Sequence, residues 1–224
     1  MFLVVCATEF ELQPLLDQEL PPQIRWTSLV TGVGMVETTL ALTRFLEGHG
    51  AGQEYHIDAV LNIGVGGAYV GDGTKNADLL QICLAEQEVF GDFGICYPHH
   101  MEALAEHLLH ATCYNLDSDL VDRAEALLHA HAFSIRRGNF VTVCGVSATE
   151  RRGAMLRDQY NGLCENMEGA AVARVCQEFN LPLLEMRTIS NFVEDRDVER
   201  WKLREACDLA GKAAAILLNG LHRA

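Results

Sequence analysis

Ala59-Val-Leu-Asn-Ile-Gly-Val-Gly-Gly-Ala-Tyr69 is the stretch that decides how this chain folds. Its first half is a short apolar run with β-branched residues, the pattern of a strand buried on both faces of a sheet. Gly64-Val65-Gly66-Gly67 then predicts a glycine-rich turn whose backbone N–H groups can approach a ligand closely, as phosphate- or ribose-binding loops require. The turn does not complete GxGxxG and lacks the Lys of a phosphate-loop NTPase. A tight turn demanded by packing explains this segment alone equally well.

The same alternation extends outward in both directions. FLVVCA (2–7) is another buried-strand run, followed by Thr8 with Glu11 three places on, the spacing of a helix capping box. After an apolar run at 28–30, Val36, Leu40 and Phe45, with Leu42 and Leu46 beside them, predict an amphipathic helix ended at Gly48. Strands are expected at 79–90, 139–147 and 181–190, and helices at 119–131 and 149–158. Met167, Ala170, Ala171 and Val175 mark one face of a further helix, with Val172, Cys176 and Phe179 adjacent. A C-terminal helix over 198–221 turns Leu203, Ala206, Ala210, Ala213 and Leu217 inward. The stretch from Gly91 to about Asp117 carries mixed signals and receives no assignment. Alternating strands and helices predict an α/β fold: one domain over 1–224, with a central mixed, mainly parallel twisted sheet flanked by helices.

With 224 residues, 49% of them hydrophobic, the chain can build one sizeable core. A formal charge of −14 argues against nucleic acid or an anionic membrane as partner, because phosphate surfaces demand clustered Lys and Arg. No run reaches the ~20 apolar residues of a membrane span, and MFLVVCATEFELQ lacks a basic leader, so a cytoplasmic protein acting on a small molecule is expected. Eight cysteines without CxxC pairing suit reduced thiols. Cys96, His99 and His100 lack the second ligand pair of a zinc site and read as loop residues, so neither metal nor cofactor is expected.

In sheets of this kind the working residues gather at strand ends. Five such segments are polar or glycine-rich: Ala7 to Glu11, Thr31 to Gly34, Asn62 to Gly67, Val143 to Thr149 and Arg187 to Asn191. Asn166-Met167-Glu168-Gly169 adds a carboxylate at a helix start. Each has a bland account. Glu11 completes a capping box, Glu168 favours a helix N-terminus by its charge, and Arg187 needs only a structural carboxylate partner.

Taken in order, these segments resemble the nucleoside phosphorylase/hydrolase family, whose members cleave the N-glycosidic bond of purine nucleosides. The likeness rests on ATEFE, TGVG (31–34), NIGVGGA (62–68), NMEGAAVARVC (166–176) and RTISN (187–191). It implies that Glu168 and Met167 meet the ribose, that Asn166 contacts the substrate, that Glu11 activates water as in the hydrolytic branch, and that Arg187 is a catalytic residue next to that carboxylate. It implies further substrate contacts at Gly64, Val65, Gly66, Gly67, Ser147, Ser190 and Phe192. Val65 stands where many relatives carry a hydroxyl, which counts against phosphate binding. Near Ser147 the stacking aromatic of the family is absent, and Phe192 or Phe140 is the substitute. A homo-oligomer is expected from the family.

Asn191 stands where adenine-specific nucleosidases of the family use Asp. An Asp can protonate N7 and accept from the adenine amino group, whereas an Asn donates its NH₂ to a 6-oxo group and accepts from a protonated N7. The base is therefore expected to be hypoxanthine or guanine. With Glu11 and NMEG, this resembles the branch that hydrolyses futalosine, a hypoxanthine nucleoside of menaquinone biosynthesis, to hypoxanthine and dehypoxanthine futalosine. Its 5′ arm ends in a carboxyphenyl group, for which Arg136, Arg137 and Arg196 are candidate partners. The competing readings are an adenine nucleosidase acting on 5′-methylthioadenosine, S-adenosylhomocysteine or aminodeoxyfutalosine, a phosphate-dependent phosphorylase, and a non-catalytic nucleoside-binding protein.

Overall fold

β1 (Phe2–Cys6) is buried at every position and leads into α1 (Glu9–Leu16), which opens on the expected capping box: Glu11 N–H donates to Thr8 Oγ1 and Thr8 N–H to Glu11 Oε2. β2 (Trp26–Val30) and α2 (Met35–His49) follow, then β3 (Ala59–Gly71), β4 (Thr74–Lys75) and β5 (Ile82–Phe90). The unassigned middle holds a small hairpin of β6 (Ile95–Cys96) and β7 (Met101–Glu102), then β8 (Cys113–Asn115), ahead of α3 (Ser118–Ala130) and β9 (Ile135–Thr142). The remainder is α4 (Glu150–Tyr160), β10 (Gly162–Asn166), α5 (Gly169–Glu178), β11 (Leu183–Val193) and α6 (Leu203–Leu221). This computed structural model describes residues 1–49, 56–71, 74–108 and 111–221.

Among the described residues one nine-stranded sheet runs β10-β9-β5-β11-β3-β1-β2, with β4 and β8 attached at its side. β1 pairs parallel with β2 and β3, β3 with β11, and β9 with β5 and β10, while β11 and β5 are antiparallel. β10 also pairs with β3, antiparallel, so the sheet curls until β10-β9-β5-β11-β3 closes on itself. The mixed, mainly parallel sheet flanked by helices is the architecture the alternation implies. On one face α1, α3 and α6 bring Leu12, Leu15, Val121, Ala124, Ala213 and Leu217 against Val4, Leu61 and Met186. On the other, α2 and α5 bring Leu42, Leu46, Val172 and Val175 against Leu3, Val5 and Val60.

Several local expectations are corrected. GVGG is no turn: residues 64–67 continue β3 without interruption. The glycines serve close approach instead, since a Cβ on Gly64 would lie 2.4 Å from Arg187 Nη1 and 2.7 Å from Glu11 Oε1. Val36 and Leu40 do not form the inner face of α2; both are exposed, and Leu42 and Leu46 do the packing. Leu203 is likewise exposed, whereas Ala206, Ala210, Ala213 and Leu217 are buried as expected. The strand expected at 139–147 ends at Thr142, leaving 143–149 as a loop. All eight cysteines are free. Among the described residues no helix is long and apolar enough to cross a membrane.

Gly211 sets the seat of α1. A Cβ there would meet the Pro14 carbonyl carbon at 2.5 Å and the Leu15 nitrogen at 2.7 Å, backbone atoms that cannot step aside. Gly211→Ala gains about 1 kcal/mol of helix propensity. Overpacking against a helix backbone costs about 1–3 kcal/mol, and so close an approach lies at the upper end. We expect a net loss of about 1–2 kcal/mol, read as a lowered midpoint of thermal unfolding; an unchanged or raised midpoint would show that the two helices slide apart freely.

Candidate active site

The carboxyl ends of β1, β9, β10 and β11 and the middle of β3 converge on one cavity of about 350 Å³, the size of a small-molecule site. Its walls include Glu11, Val65, Gly66, Gly67, Ser147, Asn166, Met167, Glu168, Ser190 and Asn191. Glu11 and Asn191, from opposite ends of the chain, thus face the same space. Gly64 lies just beneath it, where the Arg187 guanidinium and the Glu11 carboxylate both press on the backbone.

Glu11 does more than cap α1. Its Oε2 holds the Thr8 N–H and hydroxyl, while Oε1 accepts the Val65 N–H at 3.2 Å, tying helix to strand. Glu168 stands at the N-terminus of α5, where its charge is favourable, but its side chain makes no cap hydrogen bond there. Its Oε1 accepts the Gly34 N–H at 3.0 Å and its Oε2 lies 3.7 Å from Arg187 Nη1. The free donors at the start of α5 go elsewhere: Glu168 and Gly169 N–H to Asn166 Oδ1, and Ala170 N–H to Thr142 Oγ1. Asn166 is in turn held by Glu88, to whose Oε1 it donates at 2.6 Å. Relieved of capping, Glu168 is free to face the cavity.

Arg187 is fully buried, 1% exposed, and stands behind the cavity rather than in its wall. The expected carboxylate partner is Glu185, whose Oε1 accepts from Nε at 2.9 Å and lies 2.9 Å from Nη2 as an ion pair, with Glu168 as a second. Burial works against its charge, but Glu185, Glu168 and Glu11 together outweigh that and keep it cationic. Arg187 therefore meets the cavity only by way of the carboxylates it faces. Burial pushes the Glu168 carboxyl up, and Arg187 with the Gly34 N–H draws it back. Burial and then the neighbouring Glu185 push Glu88 well above the usual range, against hydrogen bonds from Thr142 and Asn166.

Asn191 follows a bulge at Ser190 that breaks the register of β11 on β3. Such a bulge re-aims the next side chain. Asn191 Oδ1 accepts from Ser190 Oγ at 2.8 Å and Nδ2 donates to the Phe192 carbonyl at 3.2 Å. Phe192 itself is not brought to the cavity. Strand alternation turns it the other way, against Leu79 and the cluster that holds Phe140, which is fully buried. The rings that do reach the cavity are Phe10 and Trp201, with Val33, Val146 and Leu203 beside them. Of the candidate cations only Arg196 is there, its guanidinium 4.8 Å from the centre of the Trp201 ring. Arg137 is bound to Glu86, Asp122 and Glu125, and Arg136 lines a separate surface hollow. Glu165 lines the cavity as well, a residue passed over in the sequence although a Glu within a fully buried strand signals a task.

The chain belongs to the phosphorylase superfamily, whose family model matches residues 2–223. Among curated relatives, a futalosine hydrolase of Streptomyces coelicolor is 29% identical over 86% of this chain and 80% of its own length. The futalosine hydrolase of Thermus thermophilus is 27% identical over 97% and 95%. A 5′-methylthioadenosine/S-adenosylhomocysteine nucleosidase of Haemophilus influenzae is 24% identical over 86% and 78%. The same fold appears in a solved structure of a futalosine hydrolase mutant of Helicobacter pylori, with a TM-score of 0.80, 20% identity, and 97% and 98% of the two chains covered.

Proposed function

We propose that this chain hydrolyses the N-glycosidic bond of a 6-oxopurine nucleoside, futalosine, releasing hypoxanthine. Cleavage builds positive charge on the ribose and negative charge on the departing base, so the site must supply a nucleophile at C1′ and stabilise the base near N7. Glu11 takes the proton of the attacking water, Glu168 accepts from the ribose hydroxyls beside Met167, and Asn191 holds the O6/N7 edge. The observation that carries this is the single cavity shared by Glu11, Glu168 and Asn191.

Two features favour this over its rivals. NIGVGGA carries no Arg, Ser or Thr to hold a phosphate, and the Val65 N–H in it already donates to the Glu11 carboxylate, whose charge would repel one bound there. Arg196, with Phe10, Trp201 and Leu203, offers a cation set in an apolar wall, the chemistry that suits an aryl carboxylate on the 5′ arm. A methylthio arm makes no use of that cation, whereas S-adenosylhomocysteine and aminodeoxyfutalosine carry a carboxylate too and are separated from futalosine by the base alone. The names of relatives at 24–29% identity include both futalosine hydrolases and 5′-methylthioadenosine/S-adenosylhomocysteine nucleosidases, so substrate choice rests on these residues.

A nucleoside panel with and without phosphate, read by the released base, tests the proposal. Hypoxanthine is expected from futalosine without phosphate. Phosphate-dependent turnover, or release of adenine alone, would overturn it. Asn191→Asp is expected to move the ratio of kcat/KM on hypoxanthine over adenine nucleosides by about 10–100-fold toward adenine, the effect of one mismatched buried polar contact. An unmoved ratio would remove position 191 from base choice.

A further inference from the structure

Behind the wall formed by Asn166, Met167 and Glu168, buried carboxylates outnumber the cations that face them. Glu88 of β5 and Glu185 of β11 are both 0% exposed, and each brings its Oε1 within 2.6 Å of where a Cβ on Gly169 would stand. Glu168 adds a third carboxylate close by. One guanidinium, that of Arg187, pairs with Glu185 and Glu168, and Glu88 is left without an ion-pair partner among the described residues. A fully buried carboxylate with no counter-charge takes up a proton instead.

The hydrogen bonds around Glu88 are one proton short as well. Asn166 Nδ2 donates to Glu88 Oε1 at 2.6 Å. On the other side Thr142 Oγ1 accepts the Ala170 N–H at 2.8 Å, and it lies 2.7 Å from Glu88 Oε2 and 3.1 Å from Asn166 Oδ1. A hydroxyl has a single proton to give. Given to an ionised Glu88, it leaves Thr142 and Asn166 oxygen against oxygen. A proton on Glu88 Oε2 removes the conflict: Glu88 donates to Thr142, and Thr142 donates to Asn166 Oδ1, which also gathers the N–H groups of Glu168 and Gly169.

We infer that Glu88 is a positioning residue for the reaction: as the neutral acid it donates through Thr142 to Asn166 and so fixes the turn that carries Met167 and Glu168. The inference rests on the purine-nucleoside reading above, in which Glu168 meets the ribose, and deepens it. Besides Glu185 and Arg187 of β11, the titratable groups coupled to its charge are Cys113 of β8, Cys164 of β10 and Tyr69 of β3, none of them a cation. Burial first and Glu185 second push the Glu88 carboxyl up, against the pull of Arg187.

Two measurements on the intact protein test this. The unfolded chain releases the Glu88 proton above the ordinary carboxylate range while the folded chain keeps it, so this group favours folding at low pH and loses that effect as pH rises. Glu88→Gln has no such proton, and its Nε2 can donate to Thr142 while its Oε1 accepts from Asn166. In denaturant unfolding from about pH 5 upward, the wild-type folding constant is expected to fall more steeply than that of Glu88→Gln, by close to tenfold per pH unit. Parallel slopes would mean an ionised Glu88 and overturn the inference. The second measurement uses Thr142→Val, which breaks the relay. It is expected to lose at least about tenfold in kcat/KM on futalosine yet to bind free hypoxanthine within about twofold of the wild type, with Thr142→Ser recovering the rate. Equal losses on nucleoside and free base would mark the relay as structural and overturn its positioning role. Should Thr142→Val fail to fold, the pH slopes decide alone. If the slopes differ but the wild type cleaves no futalosine, the proposed reaction falls while the neutral Glu88 and its relay stand.

Discussion

Glu11→Gln is expected to retain nucleoside binding and lose about 10²–10⁴-fold in the rate of hydrolysis, the usual contribution of a general base. The carboxylate is held at three points: by the Thr8 N–H and hydroxyl on one oxygen and by the Val65 N–H on the other. All three are donors, and they leave lone pairs of a buried group to face the cavity. An amide oxygen can keep the Thr8 contacts, but its NH₂ then opposes the Val65 N–H, donor against donor. That conflict costs about 1–3 kcal/mol of stability, a few degrees in the unfolding midpoint for a chain of this size. The rate loss goes further, because an amide cannot take a proton from water. A fall in kcat with KM near the wild-type value identifies an interaction made chiefly in the transition state. Unchanged turnover with the same drop in stability would return Glu11 to the helix cap it also completes.

The cap was legible in the sequence because it is local: Thr8 and Glu11 are three residues apart and their reciprocal bonds need nothing from elsewhere. Strand and helix alternation was legible for the same reason, resting on periodicities of two and 3.6. Gly64 to Gly67 was misread because glycine reports two different needs, a turn and a close approach. Local sequence does not separate them when the approaching groups, Glu11, Arg187, Glu165 and Asn191, come from other strands and helices. Val36 and Leu40 fitted a helical apolar stripe and are exposed all the same, since the stripe says nothing of how far the partner surface extends. Glu185 and Glu165 left a usable mark, the first between Leu184 and Met186 and the second just after Leu163 and Cys164, whereas Glu88, beside Glu86 and Gln87, did not. Such residues are rarely buried without a partner or a function. Phe192 failed as the stacking ring because neighbours on a strand point to opposite faces, so a residue beside Asn191 is the wrong place to look.

Arg187→Met is expected to remove most activity and about 3–5 kcal/mol of stability, because it leaves Glu185 buried without its counter-charge. Those two losses have different origins, and the double variant Arg187→Met with Glu185→Leu separates them. Replacing a buried ion pair by apolar residues of similar volume is often neutral, so the midpoint of unfolding should recover toward the wild type. Activity should not recover. Glu168 would still lack the guanidinium 3.7 Å away that holds its carboxyl down against burial. The sign follows from that: with Arg187 gone the Glu168 carboxyl rises, and the proposed function needs it ionised to accept from the ribose hydroxyls. The acidic limb of the kcat/KM profile should therefore move to higher pH in both variants, activity being lost from the acid side sooner than in the wild type. Recovery of both stability and rate in the double variant would show that Arg187 serves only to neutralise Glu185, leaving Glu168 to act without it.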